Sequence, residues 1–387
     1  MIDSVSVRGG AQVARVAEVA EAVPSAVAAA VLLAPRLMAD AAGTDQAACY
    51  PAAAMAWLQE AGLCQAPLPR SLGGQGLNEP PAAMALLQVL KHIGRGNLVV
   101  GRLYEGHVNA LQLVCAYGTV AQQASAARAA RAGQWFGVWN SEGADGVTMT
   151  SGSDTQHGRW RLHGSKLYAS GAGHVARPVL TAQRAPGQWQ LVMLETANAA
   201  LQIDRSFWQP LGMRASASYR VGFSGVTVPC AALLGEPGDY YREPAFSAGA
   251  VRFAAVQLGG AEAIHDETRR FLRELGRCDD PYQRMRLGEM AMWVESGNLW
   301  FDGAARHAGD VPYAHLMRSA IEQVGLHVMR LAERSVGARG LLQPSPLERM
   351  HRDLTHYLRQ PMPDAALATV GAHVLGTPLP SHALWGR

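Results

Sequence analysis

The chain has 387 residues, of which 49% are hydrophobic and only 17% charged, with a net charge of +3. This excludes a disordered chain and leaves room for two or three domains with well-buried cores. So small a net charge offers no broad electrostatic footprint for nucleic acid or an anionic membrane.

The run Ser25 to Ala34 is apolar and Ala-rich. Glu18 and Glu21 stand where a secretory leader needs positive charge, Pro24 and Pro35 bracket the run, and it is too short to span a bilayer. It is expected to be a buried helix in a soluble, untargeted protein. Ala52 to Ala61 reads as a short helix stopped at Gly62. Pro67 to Gly76 reads as a loop. Pro80 to Ile93 reads as a helix that opens on proline and ends before Gly94. Arg102 to Tyr117 reads as another, ended by Gly118. From Trp135 to Pro229 the pattern shifts to short alternating runs such as Trp160–His163 and Trp189–Leu194, separated by Gly, Ser, Asn or Pro. Tyr219, Val221 and Phe223 alternate as in a half-buried strand, Val226 and Val228 continue it, and Pro229 ends the ladder. Beyond this, Val251, Ala254, Ala255, Leu258 and Ala261 form a helical stripe, as do Leu287, Met290, Ala291 and Val294, and Ile321, Val324, Gly325 and Val328. The expected architecture is α+β: a helical domain over 1–132, a small β-barrel or sandwich over 133–238 and a helix bundle over 239–387. The five cysteines are far apart, which argues against a disulfide framework or zinc site and suits a reducing cytosol.

Several segments carry a family likeness. Gln209-Pro-Leu-Gly-Met-Arg-Ala-Ser leads to Val226-Thr-Val-Pro229 and Leu233-Leu-Gly-Glu236. Earlier stand Ala66–Leu77, Ile93-Gly-Arg-Gly-Asn97 and Trp160-Arg-Leu-His-Gly-Ser-Lys-Leu-Tyr-Ala-Ser-Gly171. Later stand Gly337-Ala-Arg-Gly340 and Met350-His-Arg-Asp353. In this order the set resembles the motifs of acyl-CoA dehydrogenases, and the likeness covers nearly the whole chain. The resemblance implies FAD as cofactor, an acyl thioester or related polar small molecule as substrate, and a cytoplasmic homodimer or homotetramer with neither nucleic acid nor membrane as partner.

It also implies site residues. Tyr168 and Ser170 match the aromatic beside the flavin ring and the hydroxyl near its reactive nitrogen; the alternative is a core tyrosine and a turn serine. Trp139 and Asn140 replace the family's Thr-Glu along the flavin, where backbone amides remain as donors; a core tryptophan is an equal alternative. Arg273 falls near the pyrophosphate-binding arginine. Arg334, Gly337 and Ala338 match the loop that a neighbouring subunit contributes, and a solvated helix-end arginine is the alternative.

The likeness fails at the catalytic base, which must reach the substrate's α-carbon. Its two usual positions fall on Pro361 and Val251, neither able to take a proton. Asp364, Glu105 and His356 are the nearest substitutes, with a helix-capping role the simpler one for Asp364. Arg102 and Glu105 lie on the helix that lines the acyl tail in this family, beside Tyr104, His107 and Asn109. Either they form an exposed helix pair, worth little, or they line the pocket and select a polar or short substrate. Three functions stay open: a FAD-dependent oxidoreductase of the dehydrogenase type, a flavin-dependent monooxygenase of the same fold, or a non-catalytic scaffold.

Overall fold

The computed structural model describes residues 8–151, 158–360 and 362–386, with side chains from residue 26 onward. Helices α1 (Arg8–Ala47), α2 (Ala52–Glu60), α3 (Ala83–Gly96), α4 (Leu98–Tyr117) and α5 (Val120–Arg131) precede the sheets. Ala26, Ala30, Ala34, Leu37 and Ala41 are buried along one face of α1, which packs against α3. Ala26–Ala47 is long and apolar enough to cross a membrane by length and composition. Its buried stripe, with Leu32 on the opposite side 79% exposed, has the one-sided pattern of a core helix. Pro24 and Pro35 do not bracket a short helix, because α1 runs through both.

Two helix limits differ from expectation for stated reasons. Helix α3 continues through Gly94 to Gly96. Gly94 is a contact rather than a stop: a Cβ there would overlap the carbonyl of Val256 on the crossing helix α6 (Ala248–Glu274). Helix α4 starts at Leu98 because Asn97 caps it, accepting from the amides of Val99 and Val100 at 2.9 and 3.4 Å. Helix α5 follows a capping box of Thr119 and Gln122, a signal that the sequence itself carries.

The middle of the chain forms two sheets. The larger contains β1 (Phe136–Trp139), β2 (Thr148–Ser151), β3 (Arg159–His163), β5 (Arg177–Ala185), β6 (Gln188–Met193), β9 (Thr227–Pro229) and β10 (Leu233–Leu234). The smaller has the order β4 (Ser165–Ala169), β8 (Tyr219–Gly222), β7 (Gln202–Asp204). Trp139, Met149, Leu162 and Leu180 from the first and Ala169 and Val221 from the second share one buried core, so the two sheets form a sandwich. Val221, Phe223, Val226 and Val228 are all buried, as their alternation predicts.

Helices α6, α7 (Pro281–Arg306), α8 (Val311–Gly340), α9 (Pro346–Tyr357) and α10 (Pro363–Gly376) complete the chain. The α6 stripe holds, with Ala254, Ala255, Leu258 and Ala261 buried and Val251 half-buried. The α8 stripe of Ile321, Val324, Gly325 and Val328 is wholly buried. The α7 stripe is weaker: Met290 is buried but Ala291 is exposed. Asp364 lies in the first turn of α10, exposed, with Met362 rather than Asp364 at the cap.

Candidate functional site

The site is built where α4 meets the sandwich and the starts and ends of α6 and α9. Helix α4 is fixed first. Tyr104 donates its hydroxyl to the carbonyl of Leu63 at 3.0 Å. His107 joins two segments: Nε2 lies 2.7 Å from the carbonyl of Cys64, and Nδ1 accepts from the amide of Phe136 on β1 at 3.1 Å. Only the neutral imidazole with its proton on Nε2 satisfies both. Burial, against the weaker pull of the Cys64 carbonyl, brings the imidazole from 6.5 down to about 4. The unfolded chain therefore takes up this proton first, and stability falls as pH drops from about 6.5 toward 4. The loss is expected to reach about 3 kcal/mol. Urea titrations at pH 7 and 4.5 should show a smaller pH dependence in His107→Gln than in the parent; equal dependence would remove this residue as the cause.

The other face of α4 carries charge inward. Glu105 is only 3% exposed. It pairs with Arg102 at 2.5 Å and accepts from the Asn109 amide, whose oxygen in turn accepts from Nε of Arg252 on α6. The choice left open by the sequence is thereby decided: Arg102 and Glu105 are not an exposed pair. Burial works against the charge of Arg102, but Glu105 outweighs it and raises the guanidinium pKa. Arg252 is deeper in its desolvation, which lowers it to about 10. The phenol of Tyr357, the last residue of α9, is buried with no hydrogen-bond partner, and its pKa is raised by burial and by Glu105.

Arg102 also closes a cavity of about 10 Å³ whose walls include Gly106, Phe136, Gly137, Val138 and Ser170. Such a space holds one water at most. On the sandwich side, Ser170 shares a hydrogen bond of 2.9 Å with Ser218, which in turn lies 2.8 Å from Ser216. The carbonyl of Ser170 accepts from the Trp139 indole at 3.0 Å. Trp139 is therefore a core residue, 1% exposed, which is one of the two alternatives its sequence position left open. Asn140 spends its side-chain oxygen on the Thr181 hydroxyl, and its carbonyl faces the buried Lys166 ammonium at 3.4 Å. Lys166 is paired with Glu142.

Tyr168 is displayed differently. The β4–β8 register slips between Lys166 and Ala169, and Tyr168 takes φ +53°. This turns its ring outward, 52% exposed, edge-on to Phe207 and Trp208 at 5.2 and 6.2 Å. Trp208 meets His356 of α9 at 5.3 Å, so an aromatic row joins β4 to α9. Val251 is half-buried and apolar. Pro361 lies outside the described residues. Arg273, Arg334, Gly337 and Ala338 are exposed on α6 and α8, which pack on other helices. Gly337, at φ +59°, kinks α8.

Comparison with known proteins adds the family. The acyl-CoA dehydrogenase N-terminal domain profile matches residues 22–134, and the C-terminal domain profile matches residues 238–357. Together they span more than half of the chain. The chain belongs to the acyl-CoA dehydrogenase family. Members of this family are flavin oxidoreductases, and the order of helices, sheets and helices here is the family fold. Among its relatives, the chain is 26% identical over 339 residues to the 3-sulfinopropanoyl-CoA desulfinase of Variovorax paradoxus, covering 81% of this chain and 84% of that one. It is 26% identical over 375 residues to the dibenzothiophene monooxygenase of Mycolicibacterium goodii, covering 84% and 87%. The FMN-bound TdsC structure from Paenibacillus sp. A11-2 shares the fold with a TM-score of 0.79 at 21% identity, covering 93% of this chain and all of the other.

A flavin ring would find at the end of β4 the outward ring of Tyr168 and, two residues on, the half-buried Ser170 hydroxyl bonded to Ser218. The residues present do not suit a fatty tail along α4, because charged groups and a water-sized space occupy that side.

Proposed function

We propose that this protein is a flavin-dependent oxidoreductase acting on a short acyl thioester, or a related small molecule, with a polar or anionic far end. The observation that carries this reading is the network of Arg102, Glu105 and Asn109 on α4 with Arg252 of α6, in which Glu105 and Arg252 are buried. Two guanidiniums against one carboxylate leave the network one positive charge in excess, which an anionic group would balance and an aliphatic chain would not. The 3-sulfinopropanoyl-CoA desulfinase, by its name, takes a short thioester with an acidic tail, which agrees with such a pocket.

Tyr168 and Ser170 would hold the flavin ring, which supplies the electron-accepting chemistry when bound. Trp139 orients Ser170 through its carbonyl. Arg102 and Ser170 line the same small cavity between α4 and the sandwich. Arg334 and Gly337 would act across a dimer or tetramer in the cytosol, since their exposed positions leave them free to meet a second copy.

An absorbance spectrum tests the first step: the purified protein, or protein soaked with FAD, is expected to retain oxidised flavin. Failure to retain it would end the reading. Anaerobic addition of acyl-CoAs with carboxylate or sulfinate tails should bleach the bound flavin, while straight-chain octanoyl-CoA should not. Arg102→Leu is expected to weaken the response to acidic tails by roughly tenfold or more, the value of a charged hydrogen bond.

A monooxygenase reading is favoured by one observation, the apolar Val251 where a base is expected, and by the dibenzothiophene monooxygenase relative. Oxygen consumption with reduced flavin and a hydroxylated product, without anaerobic bleaching by any thioester, would select it.

A further inference from the structure

A row of three hydroxyls ends at Ser170. Its Oγ lies 2.9 Å from Oγ of Ser218, which lies 2.8 Å from Oγ of Ser216. Ser216 and Ser218 are 1% and 4% exposed, whereas Ser170 is half-buried and lines the small cavity beside α4.

Backbone bonds hold the row together. Ser216 and Ser218 follow the loop 205–214, which Asp353 of α9 anchors by accepting the Met213 amide at 2.6 Å. The Ser216 carbonyl accepts the Gly171 amide at 2.9 Å, and the Ala217 carbonyl accepts the Ala172 amide at 3.2 Å. The Trp139 indole donates to the Ser170 carbonyl at 3.0 Å. Segment 170–172 is thereby tied to segment 216–218.

Three hydroxyls carry three protons, and the two O···O contacts use two of them. The third has no buried place to go. Among the described residues, neither Ser216 nor Ser218 has an acceptor for its proton outside the row. A buried donor without a partner is the costlier fault, since an oxygen with one unused lone pair is commoner than an orphaned proton. Ser216 therefore donates to Ser218 and Ser218 to Ser170, which leaves the spare proton at the half-buried end.

We propose that Ser218 is a positioning residue that makes the Ser170 hydroxyl a fixed hydrogen-bond donor toward the ligand. The proposal rests on the reading of Ser170 as a flavin contact. The reactive ring nitrogen of a flavin accepts a hydrogen bond when oxidised and carries an N–H when reduced. A hydroxyl that only donates favours the oxidised ring, so the bound flavin sits at a lower potential than beside a hydroxyl free to turn.

Two measurements test this, and the first needs no flavin. Ser170→Ala removes the acceptor of the buried Ser218 proton. It should shift the urea unfolding equilibrium of the full-length protein about fivefold to a hundredfold, the cost of an unpaired buried group. Ser216→Ala strands no proton and should be nearly silent. Equal effects, or the opposite order, would overturn the proposed polarity. The second is the potential of bound FAD, read by dye-coupled reductive titration of variants whose circular dichroism matches the parent. Ser218→Ala lets the Ser170 hydroxyl turn and should raise the potential by about 30 mV, a tenfold change for a two-electron couple. A merely structural Ser218 would change stability and leave the potential alone, and that result overturns the positioning role. A parent that retains no FAD ends the flavin reading instead, while the unfolding order still decides which way the row points.

Discussion

Replacing Glu105 by leucine will lower the unfolding free energy by about 3–5 kcal/mol, the usual cost of removing one member of a buried ion pair. Glu105 is the carboxylate between two guanidiniums, 3% exposed, with Arg102 at 2.5 Å and Arg252 reached through Asn109. Leucine approximates its volume, so packing is nearly kept and the effect comes from charge. Two cations, Arg102 and the 8% exposed Arg252, then lose the carboxylate between them. The double variant Arg102→Leu/Glu105→Leu should recover part of the loss, because the pair is removed together. Urea midpoints for the parent, both single variants and the double provide the measurement. Additive losses would show that Arg102 and Glu105 do not depend on each other, and would also remove the electrostatic ground for a polar substrate.

Asp353→Ala is expected to be comparably severe, again about 3–5 kcal/mol. Asp353 is 1% exposed and performs two tasks. It pairs with Arg349 at 3.2 Å and accepts the amide of Met213 at 2.6 Å. Alanine leaves a buried guanidinium and a buried amide without partners. The loop is pressed tightly at this point, since a Cβ on Gly212 would overlap the carbonyl of Arg352. Asp353→Asn keeps an acceptor for Met213 but loses the charge facing Arg349. It should therefore recover the loop while remaining less stable than the parent. Thermal melts separate these effects, and proteolysis within residues 205–214 reports the loop directly. An Asp353→Ala protein with unchanged melting and an uncut loop would show that Asp353 is not the anchor.

Much of the fold was legible because its signals are local. Alternation at Val221, Phe223, Val226 and Val228 needs only two-residue spacing, and the α6 and α8 stripes need only helical spacing. The helix limits were less legible. Gly94 carries the same local signal whether a helix ends there or another helix presses on it. Asn97 and Thr119 do carry local capping signals, each a polar residue ahead of an apolar run.

The site divides in the same way. That Tyr168 and Ser170 follow Lys166 at family spacing, and that Val251 cannot accept a proton, are properties of residue identity and order. Whether Arg102 and Glu105 face solvent or each other in a closed space depends on α6 and α9, far away along the chain. So does the fate of Trp139, whose indole is taken by the Ser170 carbonyl, and the meeting of Arg205 and Arg214 with Arg352 in one cleft. Local pattern specifies elements because backbone period and turn chemistry act over a few residues. Burial, charge compensation and cavities arise only when distant segments exclude water from one another.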